Sequence, residues 1–126
     1  MKEKLLQSAK QAMTYAYAPY SNFKVGAALL THQGHIYTGC NIENSSYSLT
    51  CCAERTAIFK AVSSGEKTFK EFVVIADSNG PISPCGACRQ VMSEFFDESM
   101  PIHLYNLDGE SQTTHIGELL PYAFNL

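Results

Sequence analysis

Two short segments could do chemistry in this chain: Cys52-Ala53-Glu54 and, further on, Pro84-Cys85-Gly86-Ala87-Cys88. Together they offer three thiolates to one metal ion and set a carboxylate two residues from the first. Three protein ligands leave a tetrahedral Zn²⁺ one open position, where a water can be activated. Glu54, not itself a ligand, stands where it could carry protons for that water. A lone Cys-x-x-Cys suits a redox pair or a structural zinc knuckle equally well. The second segment gains its meaning from Cys52, Glu54 and Pro84.

Helices must present these groups. Residues 51–63 read as a helix with Ile58, Ala61 and Val62 on an apolar side, stopped by Gly65, and residues 86–96 read as another. Cys52 then falls in the first turn of one helix, and Cys85 and Cys88 in that of the other. A spacing of three puts Cys85 and Cys88 on one face, one turn apart. Free N–H groups and the positive dipole end favour thiolates there. Three thiolates leave a zinc site with a net negative charge, which makes the metal a poor acidifier of water. The chain has two arginines. Arg55 lies three residues past Cys52, on the same helix face, and can donate to ligand sulfurs to draw off charge. An ordinary surface ion pair is the alternative. Arg89 follows Cys88 directly, faces elsewhere on a regular helix, and ranks second.

The pattern is the known three-cysteine form of the zinc-dependent nucleobase deaminase signature. From Asn22 to Phe124 the chain resembles the small homotetrameric cytidine deaminases. Asn22-Phe23-Lys24-Val25-Gly26-Ala27-Ala28-Leu29 is similar to their first-strand motif, and Asn41-Ile42-Glu43-Asn44-Ser45-Ser46-Tyr47 to their ribose loop. Leu119-Leu120-Pro121-Tyr122-Ala123-Phe124 is similar to their C-terminal segment. The resemblance implies one Zn²⁺ per subunit on Cys52, Cys85 and Cys88. It implies that Glu54 takes a proton from the activated water and delivers protons to the pyrimidine N3 and the departing amine. Phe23 would pack on the base, and the Ala53 backbone N–H would hold the base carbonyl. Asn41 and Glu43, pointing the same way at a strand end, could bind vicinal hydroxyls, Glu43 taking the 3′-OH. Phe124 would enter a neighbouring subunit's site in a homotetramer with shared sites. The plainer readings are a core side chain for Phe23, a polar turn for Asn41 and Glu43, and a tail closed over the chain's own core.

One domain, 1–126, is expected from length. A first helix over 2–13 carries Leu5, Leu6, Ala9 and Met13 on one stripe. An irregular approach (15–22) leads to strands at 25–31 and 35–41, then a polar loop over 42–50. The run Phe72-Val73-Val74-Ile75-Ala76 within 71–77 suits a strand buried on both faces. After a turn-rich loop (79–84) and the Cys85 helix come a fourth strand at 102–106 and a last helix over 114–120; a fifth strand, which the resemblance implies, would lie around 111–115. This α/β order calls for a mixed sheet with helices on its faces. The resemblance implies a three-layer α/β/α sandwich around a five-stranded mixed sheet.

A net charge of −3 argues against a nucleic-acid partner. No apolar run matches a membrane span, and Met1-Lys2-Glu3-Lys4-Leu5-Leu6 lacks signal-peptide features, so the cytoplasm is the expected compartment. The spare Cys40 and Cys51 are expected as small buried hydrophobes in a reducing cytosol. His32, His35, His103 and His115 read as solvated or hydrogen-bonded side chains and not as metal ligands. The function expected is hydrolytic deamination of cytidine and 2′-deoxycytidine to the uridines, as in pyrimidine salvage; Glu43 on the 3′-OH need not touch the 2′-OH. Rivals are a deaminase of another aminopyrimidine nucleoside (the blasticidin-S type), a nucleotide deaminase, a noncatalytic zinc-stabilised interaction domain, and a thioredoxin-like redox protein. Seven lysines and two arginines offer little for a phosphate pocket, and a redox pair leaves Cys52, Glu54 and the ribose loop without a role.

Overall fold

The computed structural model describes residues 1–126. Helix α1 (Lys2–Met13) leads into strands β1 (Val25–Thr31) and β2 (Ile36–Cys40), and a 3₁₀ turn (Tyr47–Leu49) precedes helix α2 (Ala53–Ser63). Then follow β3 (Phe69–Ala76), α3 (Gly86–Phe95), β4 (Ile102–Asn106), β5 (Ser111–Thr114) and α4 (Ile116–Leu119). The five strands form one sheet in the order β2-β1-β3-β4-β5. Only β3 and β4 are parallel; the other pairs are antiparallel. A parallel pair needs a long crossover, which α3 supplies.

The period of two along β1 separates the layers. Ala28 and Leu30 face α1 with Val73 and Ile75, and meet its Leu5 and Ala9. Ala27 and Leu29 face the other way, into a core built with Ala57, Ile58 and Ala61 of α2, Cys88 and Met92 of α3, and Phe72, Val74, Ile102 and Leu104 of the sheet. The expected three-layer sandwich and its fifth strand are present.

Two glycines set the distance between helices and sheet. A Cβ on Gly26 would lie 2.8 Å from the Met13 backbone nitrogen in α1. A Cβ on Gly39 would fall 2.6 Å from the Ala53 carbonyl oxygen, at the head of α2. Only a hydrogen atom fits in either gap.

Some boundaries differ from the sequence reading. Residue 51 is not helical: Cys51 exchanges backbone hydrogen bonds with Ile42, at 2.9 and 3.0 Å, and α2 begins at Ala53 with Cys52 as its extended N-cap. The strand at 71–77 starts earlier, at Phe69, because Thr31 pairs there across an irregularity in the register. Cys40 and Cys51 are half-buried and not core residues. Cys40 belongs to the edge strand β2 and lines a surface hollow beside Lys60. The histidines lie away from the cysteine cluster. His35 Nδ1 meets Glu66 at 2.6 Å, His103 bridges Glu71 and Thr113, and His115 Nδ1 meets the Glu98 carbonyl at 3.0 Å.

Candidate active site

The site forms where β2 ends, β1 begins and β3 ends, since Gly26 pairs with Cys40 and Val25 with Ala76. This is the carboxyl end of the parallel pair, the customary place for a ligand crevice in such sheets. The Ile42–Cys51 bridge folds the 42–50 loop back, so that Glu43 and Cys52 line one cavity of about 350 Å³. Phe23, Asn41, Ala53, Glu54 and Cys85 share it.

Cys52 and Cys85 are the N-cap residues of α2 and α3, and Cys88 lies one turn into α3. Their three sulfurs fall within 4.8 Å of one another. Cys52 to Cys85 is 3.8 Å and Cys85 to Cys88 is 3.3 Å. Tetrahedral zinc–thiolate bonds of about 2.3 Å require sulfurs about 3.8 Å apart. The donor set is soft, three in number and near that spacing, so it fits Zn²⁺ with one position open.

Electrostatics support the same reading. Hydrogen bonding from the Cys88 thiol, then from Arg55 and Cys85, draws the Cys52 pKa down to about 5 against the cost of burial. The Cys88 thiol is pushed far up, because its proton stabilises the Cys52 thiolate and burial disfavours its charge. Metal binding must displace that proton. Arg55 Nη2 donates to Cys52 Sγ at 3.4 Å, while its Nε is buried with no hydrogen-bond partner. Its charge is thus committed to the sulfur cluster, and the thiolate holds it firmly protonated.

Glu54 is 5% exposed, in the first turn of α2. Burial pushes its carboxyl up to about 7; its own backbone N–H opposes the shift, the Cys52 thiolate adds to it and Arg55 opposes it. A carboxyl poised near neutrality can both accept and return a proton.

Phe23 is 36% exposed on the cavity wall, which removes the core reading. Asn41 is buried and already engaged: its Nδ2 donates to the Phe23 carbonyl at 2.7 Å and its Oδ1 accepts from the Val25 N–H at 2.9 Å. Glu43 accepts from the Tyr20 and Ser21 N–H groups at 3.0 and 3.1 Å, and from the Ser21 hydroxyl. Phe124 is not brought together with these residues. It is 69% exposed, outside the cavity.

Arg89 does not touch the thiolates. Its Nε donates to the Pro84 carbonyl at 2.8 Å and its Nη1 to the Leu119 carbonyl at 2.7 Å, tying the ligand turn to the C-terminal segment. Sequence reasoning missed that tie, and also missed Ser21, Thr50, Ile82 and Ser83 on the cavity wall. Ser21 alone had a signal, standing two residues before Phe23 in Tyr20-Ser21-Asn22-Phe23.

A mixed sheet whose end receives three cysteine sulfurs and a buried carboxyl from two helix heads, beside a cavity of about 350 Å³, defines a metal-dependent hydrolase of the α/β class. The chain belongs to the cytidine and deoxycytidylate deaminase family, whose zinc-binding region matches residues 1–104. It is 59% identical to the cytidine deaminase of Sporosarcina psychrophila, over 98% of this chain and 90% of that one. With the cytidine deaminase of Halalkalibacterium halodurans the identity is 50%, over 98% and 93% of the two chains. The crystal structure of cytidine deaminase from Burkholderia pseudomallei superposes with a TM-score of 0.95 at 49% identity, covering 98% of this chain and 99% of that one.

Proposed function

We propose that the chain hydrolyses cytidine and 2′-deoxycytidine to uridine and 2′-deoxyuridine with release of ammonia, a step of pyrimidine salvage. One observation carries the reading: Cys52 and Cys85, the buried Glu54 carboxyl, Phe23 and Glu43 border a single cavity, with the Cys88 sulfur buried within 4.8 Å of the other two. Cys52, Cys85 and Cys88 would hold one Zn²⁺, which supplies a Lewis-acid position that acidifies a water. Glu54 takes one proton of the attacking water and delivers it to ring N3 as C4 becomes tetrahedral, then takes the remaining hydroxyl proton on C4 and passes it to the amine, so that C4=O forms as the C4–N bond breaks and ammonia leaves. Phe23 stacks on the base, the Ala53 N–H holds the base carbonyl, and Asn41 and Glu43 keep the sugar end in place.

Arg55 offsets the excess negative charge of three thiolates. Arg55→Gln should keep the fold and the zinc while turnover falls about 10- to 100-fold, the usual cost of losing a partner behind a metal ligand. Undiminished turnover at full zinc content would refute that role.

The chain is proposed to act as a homotetramer with shared sites, Phe124 reaching a neighbour's cavity. In support, Phe124, Tyr122 and Leu126 are exposed apolar side chains on one segment, a costly arrangement in water unless a surface receives them. A chain ending at Ala123 should stay soluble while KM rises about tenfold, the order expected for losing one buried aromatic. Steady-state kinetics at matched zinc content decides this, and wild-type kinetics would reject the sharing.

No helix is long and apolar enough to cross a membrane. A reducing cytoplasm suits a site that needs three free thiols, and the net charge of −3 suits a free nucleoside better than a nucleic acid. Mixing the zinc-loaded protein with cytidine and following the loss of its ultraviolet absorbance tests the whole reading. Bound zinc without conversion would leave the family assignment standing and the substrate wrong.

A further inference from the structure

Ser21 binds Glu43 twice, through its hydroxyl to Oε2 and through its N–H to Oε1. The same hydroxyl oxygen accepts the Phe23 N–H at 3.0 Å. One small side chain thus joins the two cavity walls that carry Phe23 and Glu43. Asn22 between them adopts the left-handed region, φ 57°, a conformation asparagine tolerates better than most residues. That turn lets Ser21 point back at Glu43 while Phe23 enters the cavity wall.

The acceptor count then becomes specific. A carboxylate has about four acceptor sites. Two N–H groups fill those of Oε1, from Tyr20 and Ser21. The Ser21 hydroxyl takes one site on Oε2, so a single site remains. The Ser21 hydroxyl is also the leading reason that the Glu43 carboxyl sits below its ordinary range, which keeps it an ionised acceptor.

We infer that Ser21 is a positioning residue for the sugar end of the substrate: its hydroxyl orients the Glu43 carboxylate so that the one free acceptor site meets a sugar hydroxyl. The inference rests on the reading of Glu43 as the acceptor for that hydroxyl.

The test is Ser21→Ala in the zinc-loaded enzyme, with KM and kcat for cytidine and the inhibition constant of 2′,3′-dideoxycytidine, which lacks the vicinal 2′- and 3′-hydroxyls. Loss of a charge-assisted hydrogen bond should raise KM about tenfold with kcat nearly unchanged. The dideoxy constant should not move. Ser21→Thr, which keeps the hydroxyl, should restore the parent KM, and Ser21→Cys, of similar size but a weak donor, should behave like Ser21→Ala. An equal change for both ligands, or no change for cytidine, overturns the inference. Glu43→Ala separates the two layers. If it weakens cytidine and the dideoxy compound equally, the Glu43 reading itself falls; if it weakens cytidine alone and Ser21→Ala does not, only the Ser21 role is lost.

Discussion

Glu54→Gln should abolish turnover and leave one zinc per chain. The loss should reach about 10⁴-fold, the upper end for a general acid–base group, because one carboxylate serves every proton transfer. Glutamine keeps the shape and the hydrogen-bonding capacity but cannot take up a proton. A second effect separates proton carriage from structure. Burial lifts the Glu54 pKa from 4.5 to about 7 in the folded, metal-free chain. The folded state therefore binds the proton more tightly than the unfolded state does. Stability is highest below pH 4.5 on this account and falls as pH rises towards about 7. The penalty at higher pH is of order 3 kcal/mol, as an upper figure. Metal-free Glu54→Gln should consequently melt higher than the metal-free parent at pH 8, with the gap closing as the pH is lowered. Turnover by zinc assay and cytidine absorbance, with melting curves after chelation, checks both halves. Residual turnover within about tenfold of the parent would remove Glu54 from the proton path.

Gly39→Ala should destabilise the chain by about 3 kcal/mol or more, the severe end of overpacking. Its Cβ would stand 2.6 Å from the Ala53 carbonyl oxygen and 3.0 Å from Ala57 Cα, and nearer still to the Ala57 nitrogen. An α-helix joins a carbonyl and the nitrogen four residues on by a hydrogen bond, so the methyl group would wedge into the first turn of α2. No flexible side chain is there to yield; the obstacle is backbone. The helix must move away from β2, carrying Ala53 and Glu54 with it. A melting temperature lower by about 10 °C or more is expected, together with weakened turnover in the fraction still folded. Gly80→Ala is the matched control, because a Cβ there meets nothing within 4 Å. Equal melting temperatures for the two variants would show that α2 is free to shift.

Some of this could be read locally. Cys52, Glu54, Cys85 and Cys88 declare themselves because metal ligation and proton transfer restrict residue type and spacing within a single helical turn. Arg55 follows from the same periodicity, and its 3.4 Å approach to Cys52 Sγ agrees with it. The strand Phe72–Ala76 was legible because a sheet covered on both faces accepts an unbroken apolar run. The weaker β5, Ser111–Thr114, has exposed polar residues at three of its four positions. Its identity as a strand comes from pairing with β4, a long-range contact that its own residues do not announce.

Arg89 and Cys51 show the other side. Both stand next to a metal-ligand cysteine, yet Arg89 reaches Leu119 and Cys51 pairs with Ile42, distant in sequence. Adjacency along the chain says little about a long side chain's target or an extended residue's partner, since packing selects among many reachable acceptors. By itself the sequence determined the three-cysteine cluster with its neighbouring carboxylate and the α/β layering, because each depends on residue chemistry at helical or strand spacing. Only the tertiary structure decided that Ser21 and Tyr20 grip Glu43, that Asn41 ties Phe23 to Val25, and that Gly39 sets how closely α2 may approach. Those depend on distances between segments far apart in sequence, which exist only once the sheet has brought the segments together.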